Sequence, residues 1–342
     1  MVEALWLAAI AAVGTWLSGF LAIWLGRGMR ILDQPSGRSS HTTPTPRTGG
    51  LAILIGLTVA LIALRPPFWI SLALGGMVLV LAVIGFLDDV YSLPASIRFA
   101  IQLIIGGATT VLFHVRFFDT LDPAQPLFWA SLVFVGLFTV AFINFFNFMD
   151  GINGIACFQG IIASAAICLM VHASGGARST VGVAAALAGA CLGFLPHNFP
   201  RANLFMGDSG STVLGFLLAM LSFKGASDTD IPWLALMLPM GVFIYDPIFT
   251  LFKRTLQHAK ITQAHREHNY QLLVRCGWSH LRVATLKAAL MLLCAGCGVL
   301  YMLGGRWERL AIVVGLLAVA ICQSLLIYRY FGRHRMDAPA NH

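Results

Sequence analysis

Asn144 to Gly154 reads N-F-F-N-F-M-D-G-I-N-G, and it closes a long apolar run. Asn144, Asn147, Asp150 and Asn153 recur every three residues, so on a helix they keep to one slowly drifting face. Gly151 and Gly154 then permit a turn or a close backbone approach. Polar groups where a hydrophobic segment meets water are costly unless they have partners or a task. A helix cap accounts for one such amide. Four at this spacing fit a site for a cation or a polar ligand at a membrane surface.

Other polar clusters interrupt the apolar chain in the same way. Asp88 and Asp89 end a run in G-F-L-D-D-V-Y-S. Adjacent helical residues point about 100° apart, so the two carboxylates cannot serve one ligand identically. Such a pair suits phosphate chemistry, one acid holding a divalent cation while the other accepts a proton; a solvated helix end is the alternative. Ser92 stands where an aspartate-rich prenyl-diphosphate motif would need a further Asp. Asp208, in F-M-G-D-S-G-S, is either an N-cap or a hard oxygen ligand. Paired with Asn147 or Asp150 it meets the demand of Mg²⁺, which takes few protein oxygens and leaves the rest to water and phosphate. His265 and His268, in H-R-E-H-N-Y with Arg266, lack H-E-x-x-H spacing and form instead a basic patch for phosphates. The Pro-, Gly- and Ser-rich stretch from Asp33 to Gly50, carrying Arg38, His41 and Arg47, is a second anion-binding candidate. Neither a P-loop nor a dinucleotide fingerprint is present, so a nucleotide would be held by side chains and metal. Asp246, before Pro247, is either catalytic or paired with Lys253 or Arg254 one to two turns on.

The elements that must position these residues are membrane helices. Of 342 residues, 58% are hydrophobic and 11% charged, and mean hydropathy is +0.82; a soluble domain carries roughly 25% charged residues. Apolar runs near 20 residues predict an all-α polytopic protein, since barrel strands would be about ten residues and alternating. About eleven spans are expected, at 4–25, 49–64, 68–87, 97–115, 127–147, 152–172, 179–196, 209–224, 232–252, 283–303 and 309–330. The first follows Glu3 and no basic residues, which predicts a retained span and not a cleaved signal. The whole of 1–342 then forms a single domain with loops 27–48, 88–96, 148–151, 197–208 and 253–282 on one side. Most Lys and Arg fall on that side, which predicts a periplasmic N-terminus and a cytoplasmic C-terminus. The net charge of +8 points to lipid headgroups and not to nucleic acid. Cys294 and Cys297 form a mid-span C-x-x-C without further ligands, a packing feature.

From about Asp33 to His280 the motifs resemble, in order, those of the polyprenyl-phosphate N-acetylhexosamine-1-phosphate transferases. They are D-x-P-x-x-R-x-x-H with P-T-P-R-x-G-G, then G-F-x-D-D, N-x-x-N-x-x-D-G-x-x-G, G-D-S-G-S and a His-bearing loop. The resemblance implies that Asp88 and Asp89 activate the lipid phosphate, that Asn147 and Asp208 bind Mg²⁺ (or Mn²⁺), and that Asn153 lies near uracil. It implies a phosphate contact for Arg98 and a catalytic place for Asp150, an acid not universal in the family. His41, Arg47, His265, Arg266 and His268 would bind substrate. The phospho-MurNAc-pentapeptide enzymes carry consecutive His where this chain has His265-Arg266-Glu267-His268, so the pattern looks more like enzymes that start O-antigen or related glycans. The implied reaction passes a sugar 1-phosphate from a UDP-N-acetylhexosamine to undecaprenyl phosphate and releases UMP, at the cytoplasmic face of a bacterial inner membrane. Relatives include dimers. A cation-coupled transporter, which would place its acids deep in several spans, is the alternative of another class.

Overall fold

The computed structural model describes residues 1–34, 43–117, 124–259 and 265–337; His41 and Arg38 lie outside them. Among the described residues thirteen helices follow one another: α1 Val2–Gly28, α2 Gly49–Leu64, α3 Phe68–Tyr91, α4 Ala95–Phe117, α5 Pro126–Met149, α6 Ile155–Ala173, α7 Arg178–Asn198, α8 Gly207–Asp228, α9 Trp233–Met237, α10 Gly241–Leu256, α11 Asn269–Arg275, α12 His280–Leu303 and α13 Arg306–Asp337. Within them the departure from the all-α expectation is a two-residue antiparallel pair, β1 (Leu32–Asp33) with β2 (Thr45–Pro46). It closes the base of the loop between α1 and α2.

Among the described residues ten helical segments are long and apolar enough to cross a membrane. The eleventh expected span, α2, has 16 residues, or about 24 Å at 1.5 Å per residue. Its first turn starts beneath the surface, where Gly49 and Gly50 N–H donate to the carbonyls of Phe205 and Met206 at 2.9 and 2.7 Å. The expected span 232–252 is broken: Pro239 interrupts α9 and α10 with a 3₁₀ turn, Leu238–Met240. Gln159 Nε2 of α6 donates to the Pro239 carbonyl at 2.9 Å and holds that break against the neighbouring helix.

The core is centred on α8, which packs against α2, α3, α4, α5 and α6. Its small residues let these helices approach, and Phe216 and Phe223 fill the layer between them. α1 lies along α2 and α7. α13 carries exposed Leu310, Val314, Leu317 and Leu325, as expected of a helix facing lipid. The helix ends that meet above α8 make the site.

Candidate active site

The C-terminal ends of α3 and α5 and the N-terminal end of α8 surround a polar cavity of about 390 Å³. Asp89, Asn147, Asp150 and Asp208 line it, joined by Asp33 of β1, by Arg47 just after β2, and by Arg266 and Gln271 from the segment around α11. Each position follows from local structure. Ser92 adopts φ 52°, and its N–H returns to the Asp88 carbonyl at 2.8 Å, which ends α3 just beyond the acidic pair. α5 ends at Met149 and leaves Asp150 at its C-cap.

The acidic pair divides as its 100° offset requires. Asp89 accepts the backbone N–H of Asp208 at Oδ1 (2.9 Å) and of Ser209 at Oδ2 (3.2 Å), which caps α8 from outside. Gly207, before Asp208, sits at φ +72°, and a Cβ there would come within 2.5 Å of Asp89 Oδ2. Asp88 faces away from the cavity to Arg98, whose Nη1 lies 2.7 Å from Asp88 Oδ2 and 3.0 Å from Asp208 Oδ2. Arg98 is thus a bridge between two acids behind the cavity wall.

The four-residue stripe on α5 also divides. Asn144 donates to Gln102 Oε1 of α4 at 2.6 Å and is a helix-packing residue. Asn147 donates to Ser211 Oγ at 2.9 Å and lies beside the Asp208 carboxylate on the cavity wall. Asn153 lines the cavity, with Nδ2 donating to the Pro200 carbonyl at 3.1 Å and N–H directed at His280 Nδ1 at 3.5 Å. Asn198, a wall residue that sequence patterning missed, accepts the Gly154 N–H at 2.6 Å and donates to the Leu204 carbonyl at 3.0 Å. It ties the loop after α5 to the loop before α8.

The histidine loop differs from the expected basic patch. His268 is buried, 4% exposed; its Nδ1 lies 3.5 Å from Asp246 Oδ1, and it does not line the cavity. His265 precedes α11 and shares no helix face with it. Burial, with His268 and Arg254 close by, pushes the His265 pKa down to about 4, so at neutral pH it is an uncharged hydrogen-bonding group. Arg266 and Gln271 are the members of this segment that reach the cavity. Asp246 pairs with neither Lys253 nor Arg254: those two hold Glu267 at 3.3 and 2.7 Å, while Asp246 meets Lys287 of α12 at 3.4 Å.

Four carboxylates (Asp33, Asp89, Asp150, Asp208) and two guanidiniums (Arg47, Arg266) line the cavity among the described residues. Arg47 is bound to Asp33 at 2.7 Å. Burial first, and the nearby Asp208 second, push the Asp150 carboxyl up to about 7. Such a set of oxygen donors has the chemistry that suits a hard divalent cation, which would offset the negative charge. No three His, Cys, Asp or Glu side chains among the described residues converge as a protein cage. Oxygens from water or phosphate would therefore complete any shell.

A model of glycosyl transferase family 4 matches residues 70–226, from α3 to α8. The chain is similar to the decaprenyl-phosphate N-acetylglucosaminephosphotransferase of Mycobacterium tuberculosis, 32% identical over 313 residues, with 81% of this chain and 77% of the relative covered. The chain belongs to glycosyl transferase family 4. Within this family it is also similar to the phospho-N-acetylmuramoyl-pentapeptide-transferase of Moorella thermoacetica, 30% identical over 327 residues, covering 89% of this chain and 99% of the relative. The undecaprenyl-phosphate alpha-N-acetylglucosaminyl 1-phosphate transferase of Thermotoga maritima matches at 28% over 271 residues, covering 78% and 80%. The stretch that defines this glycosyl transferase family 4 member holds Asp88, Asp89, Asn147, Asp150 and Asp208. Arg47, Arg266 and Gln271 are brought to the same cavity from outside it.

Proposed function

We propose that this chain transfers an N-acetylhexosamine 1-phosphate from a UDP-sugar to a polyprenyl phosphate, with undecaprenyl phosphate as acceptor and UMP as product. The observation that carries the proposal is the cavity itself: carboxylates at three helix ends, facing two guanidiniums, at the end of a membrane bundle. Two anionic reactants must meet there, and only a site that supplies positive charge and hard oxygen ligands together can hold both. The names of the relatives, which pair a polyprenyl phosphate with a sugar phosphate, support this choice.

Asp208 and Asn147 would hold Mg²⁺. The two side chains line the same cavity wall, which puts their oxygens within one ion's reach, and the Asn147 amide donates to Ser211, which leaves its carbonyl oxygen to meet a cation. Bound there, Mg²⁺ would offset charge on the diphosphate. An oxygen of the lipid phosphate attacks the phosphorus bearing the sugar; the bond from that phosphorus to the UMP oxygen breaks, and UMP leaves with the electron pair. Arg47 and Arg266 face the developing charge. Asp89, with both oxygens committed to α8 amides, holds the Asp208 turn, and Asp88 with Arg98 backs it. Asp150 has a carboxyl held near neutrality, and it exchanges a proton with the reactants. Asn153 contacts the uridine end. The active site lies on the cytoplasmic face of a bacterial inner membrane, and the product begins a cell-surface glycan of the O-antigen kind.

The transporter alternative has less support: the buried pair Asp246–Lys287 is closed off at 1% and 2% exposure, and neither residue lines the polar cavity. The test uses membranes carrying the protein with Mg²⁺, undecaprenyl phosphate, a panel of UDP-N-acetylhexosamines and UDP-MurNAc-pentapeptide. UMP release with a UDP-N-acetylhexosamine is the expected result. Release with the pentapeptide donor alone would reassign the substrate, and no release with any donor would overturn the proposal.

A further inference from the structure

Asp246 and Lys287 are charged, lie inside membrane-spanning helices, and take no part in the cavity wall. Their Oδ2–Nζ distance is 3.4 Å, and their exposures are 1% and 2%. Stripping two ions of water is costly, and well-packed apolar residues often replace such a pair without loss of stability. Stability alone is therefore a weak reason for the pair. Its geometry supplies a stronger one.

Asp246 Oδ1 accepts the backbone N–H of Asn269, the first residue of α11, at 2.9 Å. The Asn269 side chain donates to Ser324 Oγ of α13 at 2.8 Å, and Ser324 Oγ donates to Tyr245 OH at 3.1 Å. One carboxylate thus joins α10, α11 and α12, and the Asn269 side chain ties α13 to them. The order runs on to the cavity. Gln271 accepts the His268 N–H at 3.3 Å and donates to Tyr270 OH at 3.1 Å; Tyr270 OH donates to the Phe148 carbonyl at 2.9 Å, next to Asn147. A Cβ at Gly151 would run into the Tyr270 hydroxyl, so α11 seats directly on the loop after α5. Glu267, gripped by Arg254, is a second and more exposed tie.

We propose that Asp246, neutralised by Lys287 and seconded by Ser324, is a positioning residue that sets α11 so that Arg266 and Gln271 face the donor's diphosphate. The inference rests on the donor assignment above. Its acting atom is Oδ1; the role of Lys287 is to make a carboxylate tolerable there. Charge balance and hydrogen-bond acceptance are therefore separable. The double variant Asp246→Asn with Lys287→Met removes both charges and keeps the acceptor. Asp246→Ala with Lys287→Met removes both charges and the acceptor.

The test takes the full-length protein in nanodiscs and measures hydrogen exchange over 268–276 and steady-state kinetics with a UDP-N-acetylhexosamine. The alanine double variant is expected to exchange about tenfold faster there and to raise the donor KM about tenfold, with kcat within about threefold of wild type. The asparagine double variant is expected to stay within about threefold in all three. Wild-type exchange in the alanine variant, or equal acceleration in both, overturns the positioning role. Faster exchange with an unchanged KM overturns its link to the donor. If the alanine variant does not assemble, Ser324→Ala, which leaves both charges in place, must accelerate exchange in the same segment, and wild-type exchange there sinks the inference. The exchange arm needs no turnover. Absent UMP release in the wild type would therefore strike the donor assignment, while the exchange result would still decide whether Asp246 holds α11.

Discussion

Asp208 is held on two sides: Arg98 binds its carboxylate, and its backbone N–H is held by Asp89, with Asn147 beside it on the cavity wall. Asp208→Ala is expected to leave less than about a hundredth of wild-type turnover, and Mn²⁺ titration followed by electron paramagnetic resonance should lose its saturable site. Substantial turnover with that variant would remove the metal assignment. Asp150 makes a different prediction. Its carboxyl is raised from 3.8 to about 7 in the folded chain, so the folded state binds that proton more tightly than the unfolded state does. The contribution is complete below about pH 4 and is lost as pH rises through about 7. Metal-free wild type in detergent should therefore lose melting temperature between about pH 5 and about pH 8, and Asp150→Asn should lose less. Equal slopes would show that the carboxyl is not held in its acid form. Among single residues the sequence was informative about type and poor about partners. Asp88 and Asp89 are adjacent in the chain, but one binds an arginine and the other a helix end.

At the scale of elements, the α8 N-terminus is held by backbone conformation and not by a side-chain cap of its own. Gly207 carries φ +72° with no room for a Cβ against Asp89. Gly207→Ala pairs the strain of the left-handed region, about 1–2 kcal/mol, with displacement of the Asp89 carboxylate. The expected outcome is a loss of turnover greater than about tenfold in a protein that still folds and melts only a few degrees lower; full activity would show that Asp89 can yield without cost. The histidine loop was the element least legible beforehand. His265 and His268 were expected to form one basic patch, but α11 begins at Asn269 and His268 is buried. α11 starts there with a local cap, Gln271 accepting the His268 N–H, and with a distant one, Asp246, 23 residues earlier, accepting the Asn269 N–H. The distant contact leaves no sign in the local sequence. The 3₁₀ break at Pro239 was marked by its proline, and its support by Gln159 was not.

Over the whole molecule, the polar groups separate to two ends. The cavity lies where α3 and α5 end and α8 begins. The far end holds the Glu3–Arg178 and Lys224–Asp228 pairs, with Thr180 on Asp228. These are pins between α1, α7 and α8, with none of the cavity's convergence. Gln257, exposed just past α10, belongs to the cavity end through Lys253 and Arg254. In a background where the native cysteines are replaced, Gln257→Cys should react with a membrane-impermeant maleimide only after inverted vesicles expose the inner face. Labelling in intact cells would reverse the orientation expected from the distribution of Lys and Arg.

Composition and hydropathy were enough to read a helical membrane protein and most of its spans, and to single out five polar motifs as candidates for its chemistry. Hydrophobic length and the cost of unpaired polar groups in lipid are local quantities, so they show in local patterns. Which members of those motifs share a cavity emerges only from the packing of the helices. It turned Asp89 inward and Asp88 outward, set Asn144 to packing and Asn147 to the site, and buried His268 while bringing Arg266 to the cavity. It also recruited Asn198 and Gln271, whose types and spacing carried no signal. The reason is physical: a side chain's role follows from the groups within about 3 Å of it, and across a bundle of packed helices those groups come from positions far apart in the chain.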